Sequence, residues 1–408
     1  MDLAINEARL WQTLMRSAEI GPGSAGGLRR LTLTEEDKAV RDEFARWAEE
    51  TGLSLTIDGA GNMFARLEGR EELPPVIVGS HLDTQVAGGR FDGILGVLAG
   101  LEIVRTLKDN GIVPRRPIEV ANWTNEEGAR FSPPMMASAV FAGLQSLDWL
   151  YDRRDDDGVR LLDALEAIGY RGDAPMGKPV DAYFELHIEQ GPELYDEGIT
   201  LGIVTGGYAV HGILARFTGE TAHTGPTPMD RRRNALAAAV HAAAKVDDIG
   251  NAFAPIGKST VARLIASPNK PGILSNLAEL TVDARHADAA AAGQMRAEML
   301  AAMEAGAQKA HVACEIVSEW QFGEEKFDAA LGDLLRDAAD RRGVSHRDML
   351  SQAGHDAYYM SRVAPTAILF SPCVDGITHN EAEDVPREDT MKAVNVLLDA
   401  VLARADRP

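Results

Sequence analysis

The sequence predicts an α/β fold, a mainly parallel and buried sheet flanked by helices, with a smaller α+β segment inserted into it. Three observations carry that expectation. Short apolar, β-branched runs alternate with helix-length stretches through the first half of the 408-residue chain. After residue 205 the pattern changes to strands separated by Ala-rich helices, and from roughly 325 it returns to helices and buried strands. A chain of this length buries two cores more readily than one, and 45% hydrophobic with 25% charged residues is ordinary for a globular protein.

Taken in order, residues 1–20 read as a helix, without the basic-then-apolar design of a signal peptide. Residues 34–51 read as a second helix, opened by Thr34 with Asp37 three positions on, an Asp-for-Glu capping box. LSLTI (53–57), PPVIVGS (74–80) and RRPIEVANW (115–123) read as strands, with a helix over 94–111 between the last two. Strand, helix, strand implies a right-handed crossover and parallel pairing. In the inserted segment, VHGILARFTGE (210–220), TVARLIAS (260–267), LAELTVDARH (277–286) and VACEIVSEW (312–320) are strand-like, and 231–250 and 293–311 are helical. The order β-α-β-β-α-β is that of a split βαβ sandwich. TAILFSP (366–372) is a further buried strand. The expected domains are therefore 1–208 and 325–408 together, with an insert at 209–324.

Composition excludes several classes of partner. Lys+Arg 41 against Asp+Glu 62 gives −21, a field that repels nucleic acid and anionic membrane surfaces. The two cysteines, Cys314 and Cys373, lie outside any CxxC pattern, which argues against a disulfide framework or a thiolate metal site. No apolar run approaches the roughly 20 residues of a membrane span, and the expected compartment is the cytoplasm.

Five motifs hold the chemistry: GSHLDT (79–84), GGRFDG (88–93), TNEEGARF (124–131), ELHIEQGPEL (185–194) and GITHNEAED (376–384). GSHLDT and TNEEG each follow a buried strand, so they should meet at one sheet edge. His81 has Asp83 two residues on, placed to orient the second ring nitrogen of a metal-binding imidazole. Asp92 could be a helix N-cap, but glycines 88, 89 and 93 around it point to close packing, and a carboxylate can bridge two cations about 3.5–4 Å apart. Glu126 and Glu127 are adjacent and point differently, so one can ligate while the other takes a proton from water and returns it to a leaving nitrogen. With His187 and His379 these residues make the ligand set of a two-metal hydrolase. His223, in HTGPTPM, sits in a stiff loop, and Arg285, in VDARH, offers a guanidinium fork for a carboxylate, with a surface ion pair as the competing reading.

These residues resemble the dinuclear zinc amidases of the aminoacylase and carboxypeptidase-like superfamily. Within it the chain is similar to the N-carbamoyl-L-amino acid hydrolases, β-ureidopropionases and allantoate amidohydrolases. The likeness runs from RLTLTEEDKAVRDEF (30–44) and GNMFARLEG (61–69) to AGHDAYYM (353–360) and GITHNEAE, with ELHIEQGP as the mark of the branch. The resemblance implies one metal on His81, Asp92 and His187, the other on Asp92, Glu127 and His379, and Glu126 as general base. It implies substrate contacts from Gln190, His223, Arg285 and Gly354, with His223 and Arg285 reaching in from the partner subunit of a homodimer. The family's Asn contact falls in SPNKPGILSN, where Asn276, Asn269 or Gly272 fills the slot, and HTGPTPM replaces the commoner HAGTTPM.

The expected activity is metal-dependent hydrolysis of the ureido bond of an N-carbamoyl-L-amino acid, a small carboxylate substrate. Two divalent ions per chain are expected, Zn²⁺ first, with Mn²⁺, Co²⁺ or Ni²⁺ accepted by the same donors. The rivals are an allantoate amidohydrolase, a β-ureidopropionase, or an aminoacylase or dipeptidase using the same site. A binding protein that kept the fold has no need of Glu126.

Overall fold

The computed structural model describes residues 3–407, so the first two positions of the helix expected over 1–20 lie outside the described residues. The chain opens with α1 (Glu7–Ser17) and α2 (Glu35–Thr51), then β1 (Ser54–Ile57), β2 (Met63–Leu67), β3 (Val76–His81), α3 (Ile94–Asp109) and β4 (Ile118–Trp123). Three short helices follow, α4 (Met136–Phe141), α5 (Leu147–Tyr151) and α6 (Leu161–Ala167), then β5 (Ala182–Ile188), α7 (Glu193–Glu197) and β6 (Leu201–Gly207). Next come β7 (Ala209–Thr218), α8 (Ala235–Phe253), β8 (Lys258–Ser267), β9 (Leu277–His286), α9 (Ala289–Ala310) and β10 (Ala313–Phe322). The chain ends with α10 (Ala329–Arg342), β11 (His346–Ser351), α11 (Asp356–Met360), β12 (Thr366–Ser371) and α12 (Arg387–Ala405).

Two compact units result: one from the N-terminal part through Thr205, Glu325–Met349 and Gly354 onward, the other from Gly206–Glu324 and Leu350–Ala353. The first is built on an eight-stranded sheet of order β1-β2-β4-β3-β5-β12-β6-β11 among the described residues. Its centre, β4-β3-β5-β12, is parallel, whereas β1, β2 and β6 join antiparallel. Strands β3, β4, β5 and β12 are buried along their whole length, which requires cover on both faces. Helices α3 and α12 pack on one side, while Phe64, Trp123, Tyr183, Tyr358 and Phe370 build the core of the other. Helix α2 starts where Thr34 accepts the Asp37 N–H at 3.4 Å and the Asp37 carboxylate takes the Leu33 N–H at 2.8 Å. That is the expected reciprocal cap shifted by one residue. The helix stops at Gly52, at φ 70°.

The second unit has a four-stranded antiparallel sheet, β10-β7-β9-β8, with α8 and α9 packed on it. Ile213, Phe217, Leu280, Val282, Met295 and Met299 fill the core between them. The Ala-rich sequence of α8 lets α9 approach closely: a Cβ on Gly306 would lie 2.6 Å from the Ala238 carbonyl oxygen.

Candidate metal centre

The parallel strands end together, and their ends carry the site. His81 closes β3, Glu126 and Glu127 follow β4, His187 is the penultimate residue of β5, and His379 lies in the loop after β12. Register puts His81 opposite Trp123 and Phe370 opposite His187, so the four strand ends are neighbours. Asp92 comes from the turn before α3.

The side chains converge. Asp92 turns one oxygen to His187 Nε2 at 3.1 Å and the other to His379 Nε2 at 3.4 Å. His379 Nε2 also lies 3.3 Å from Glu127 Oε2, and His81 Nε2 lies 3.4 Å from Glu126 Oε2. Among the described residues three groups of three bring their ligand atoms within 4.8 Å of one another: Glu185, His187 and His355, and at the strand ends two more, His81, Asp92 and His187, and Asp92, Glu127 and His379. Asp92 belongs to both of the latter, the placement a bridging carboxylate needs. Gly93 allows this packing, since a Cβ there would collide with the His81 ring.

The donor chemistry fits divalent cations. Imidazole nitrogens and carboxylate oxygens suit Zn²⁺ and its neighbours. Among the described residues no Lys or Arg pairs with Asp92, Glu126 or Glu127; their charged partners are the imidazoles. Partial burial disfavours charge on His379, but its bonds to Asp92 and Glu127 prevail and lift the ring to about 11. His187 likewise rises to about 9 against burial because of Asp92. Burial would raise the Asp92 carboxyl, yet hydrogen bonds from the two histidines hold it well below the usual range. His187 and His379 thus favour protons that a cation would displace, whereas burial lowers the His81 ring. The Glu126 carboxyl goes the other way: burial first, then Asp356 and Glu127, push it well above the carboxylate range.

The supports are specific. His187 Nδ1 meets the Ile188 carbonyl at 2.9 Å, leaving Nε2 for the site. The expectation for Asp83 needs correction: His81 Nδ1 meets the Asp83 backbone carbonyl at 2.9 Å, while the carboxylate stands off at 3.9 Å. The turn after β3 aims the carbonyl at the ring, and frees the Asp83 carboxylate to accept the N–H groups of Glu126 and Glu127, both at 3.3 Å. Asp83 therefore shapes the Glu126–Glu127 turn. Beneath it the fully buried Arg30 donates to the Leu82 carbonyl at 3.1 Å.

Several supporting residues escaped the motif reading. Gln85 Nε2 donates to Glu127 Oε2 at 3.0 Å, and Thr378 Oγ1 to Asp92 Oδ2 at 3.0 Å. Glu383 accepts the N–H groups of Phe91 and Asp92 at 2.9 and 3.0 Å and fixes the turn that presents Asp92. His355 packs its ring 4.5 Å from that of His187, and Glu185 takes the Ser80 hydroxyl at 2.8 Å behind them. Apart from His355, their one signal in the sequence is closeness to a ligand. Glu189, beside His187, accepts the N–H groups of Glu193 and Leu194 at the start of α7.

Of the expected substrate contacts, Gln190 is at the centre: its Nε2 donates to both Asp92 oxygens at 3.2 and 3.0 Å, and its Oε1 is buried with no partner. Gly354 lies half-buried between β11 and α11, next to His355. His223, Asn276 and Arg285 belong to the other unit. His223 is exposed, and its Nδ1 accepts the Gly225 N–H at 3.1 Å, which leaves Nε2 as the donor. Asn276 is exposed just before β9. Arg285 pairs with Asp283 at 3.2 Å and donates to the Gln352 carbonyl at 2.8 Å.

Comparison with known proteins gives the following. Residues 77–403 match the model of peptidase family M20/M25/M40. An N-carbamoyl-L-amino-acid amidohydrolase of Rhizobium meliloti is 44% identical over 98% of this chain and 97% of its own. A similarly named enzyme of Geobacillus stearothermophilus is 34% identical over 97% of this chain and 98% of its own. Among solved structures, a hydantoinase/carbamoylase family amidase from Burkholderia vietnamiensis superposes with a TM-score of 0.96 at 45% identity, covering 100% of this chain and 99% of that one.

Proposed function

The chain belongs to the M20/M25/M40 peptidase family and is a hydrolase, and from that premise we propose that it hydrolyses the ureido bond of an N-carbamoyl-L-amino acid. The observation that carries the reading is Asp92 shared between His187 and His379, with Glu126 left over beside His81. In this reading His81, Asp92 and His187 hold one divalent cation and Asp92, Glu127 and His379 a second. Bound there, the pair supplies a water of lowered pKa and positive charge for the developing oxyanion.

Glu126 takes the proton as the water oxygen adds to the ureido carbon, and delivers it to the amine nitrogen as the C–N bond breaks. The free amino acid leaves, and the carbamate falls to ammonia and carbon dioxide. The unpartnered Gln190 Oε1 can accept an N–H from the substrate, since Asp92 fixes its amide with the NH₂ group inward. Asp83 keeps Glu126 and Glu127 in place through their backbone. The reading puts the enzyme in the cytoplasm, in keeping with free thiols at Cys314 and Cys373, and no helix among the described residues is long and apolar enough to cross a membrane.

Ammonia release over N-carbamoyl-L-amino acids, allantoate, N-acetyl amino acids and dipeptides tests the substrate class, with amino-acid release scored for the last two. Turnover highest on an N-carbamoyl-L-amino acid is the expected result. Higher turnover on allantoate or on an N-acetyl substrate would replace this reading with that one.

The reading includes a homodimer in which His223 donates to the oxyanion and Arg285 clamps the substrate carboxylate from the partner subunit, with Asn276 and Gly354 as further contacts. Subunit exchange tests it. Glu126→Gln and Arg285→Ala proteins should each be nearly inactive alone, but a heterodimer joins Glu126 of one chain to Arg285 of the other. Random exchange should restore about a quarter of wild-type activity, one competent site in each of half the dimers. No recovery after verified exchange means that each chain completes its own site.

A further inference from the structure

The loop that carries His379 has little regular structure to hold it. His379 is exposed, at 46% for its side chain, and sits at φ 48°, a conformation that a residue with a Cβ adopts reluctantly. Two carboxylates fasten the loop. Glu383 grips the Asp92 turn, as described above. Glu381 turns the other way, into the glycine-rich segment GPGSAGG at 21–27. Its carboxylate accepts the Ser24 N–H and hydroxyl, both at 3.1 Å, the Gly27 N–H at 3.2 Å, and the Ala25 N–H. At two positions a side chain would collide: a Cβ on Gly27 would lie 2.7 Å from Glu381 Cβ, and one on Gly23 2.6 Å from its carboxyl carbon. The same segment is tied to the Asp92 turn, because Leu28 and Gly88 exchange backbone hydrogen bonds of 2.9 Å in both directions. The glycine segment therefore joins the loops of two ligands, and Glu381 is its hold on one of them.

We propose that Glu381 is a positioning residue for the second cation site: by locking the 379–383 loop to the glycine-rich segment, it fixes His379 where Asp92 and Glu127 can share a cation with it. The inference rests on the two-cation reading given above. Concave backbone N–H arrays bind anions, and a carboxylate held by several N–H donors is placed firmly. The first cation site, His81, Asp92 and His187, draws its imidazoles from β3 and β5 and meets this loop only through Asp92, whose turn is held by bonds to Glu383 and Leu28 that do not involve Glu381.

The test is competition titration of Zn²⁺ against a chromogenic chelator, on metal-stripped wild type, Glu381→Ala and Glu381→Gln, with thermal unfolding in parallel. In Glu381→Ala the first ion should bind with wild-type affinity and the second about 10–100-fold more weakly. Glu381→Gln should fall between, since an amide oxygen still accepts but carries no charge. Unchanged affinity for both ions, or equal weakening of both, overturns the inference. If Glu381→Ala fails to fold, Glu381→Gln decides alone by the same split. A wild-type protein that takes up a single ion overturns the two-cation reading itself, a result distinguishable from the first.

Discussion

Replacing Glu126 by glutamine is expected to lower turnover by about 10²–10⁴-fold, the usual worth of a positioned proton-transfer group, while leaving the cation content unchanged. The two glutamates after β4 differ in their neighbours. Glu126 is buried, with Oε2 3.4 Å from His81 Nε2. Glu127 points to His379, 3.3 Å away, and is steadied by Gln85. Glutamine at 126 keeps the shape and the backbone bond to Asp83, so the ligands stay where they are. It cannot take a proton from water. Glu127→Ala should instead lose cation, because it removes one of the three donors in the Asp92, Glu127 and His379 group. Elemental analysis beside steady-state rates reads both. Equal cation loss in the two variants would mean that the roles of the pair are assigned wrongly.

Much of the site is legible from sequence because each ligand follows a strand whose burial is itself legible. VIVGSH and IEVANW are short runs rich in β-branched and apolar residues and are buried along their whole length, as parallel strands covered on both faces are. Their carboxyl ends must then meet, whatever the details of the turns. β2 carries no such signal: MFARL lacks alternation, and its place comes from pairing with β1 on one side and β4 on the other. The antiparallel margins of the sheet share that origin, in long-range pairing that local pattern does not encode. Asp83 shows the limit at the site. A spacing of two puts its carboxylate on the same face as His81 in an extended chain, but the chain turns after β3 and presents its carbonyl instead. Glu383, Thr378 and Gln85 sit near one ligand in sequence but act on another, Glu383 on the Asp92 turn 291 residues away, so nothing local marks that role. The role of Glu381 depends equally on a meeting of distant loops.

The largest effect should follow removal of the cations. Asp92 serves both ligand groups, and its charged partners are the two histidines, so the stripped site holds its own protons where the cations would sit. In the proposed reading, Glu126 then has no acidified water to work on. The decisive measurement is turnover of an N-carbamoyl-L-amino acid against bound metal, as the protein is stripped with a chelator and then reloaded with Zn²⁺, Mn²⁺, Co²⁺ or Ni²⁺. Activity should fall to background as bound metal reaches zero, and return on reloading to saturate near about two ions per chain. Full turnover in protein shown by elemental analysis to be free of metal would contradict the account.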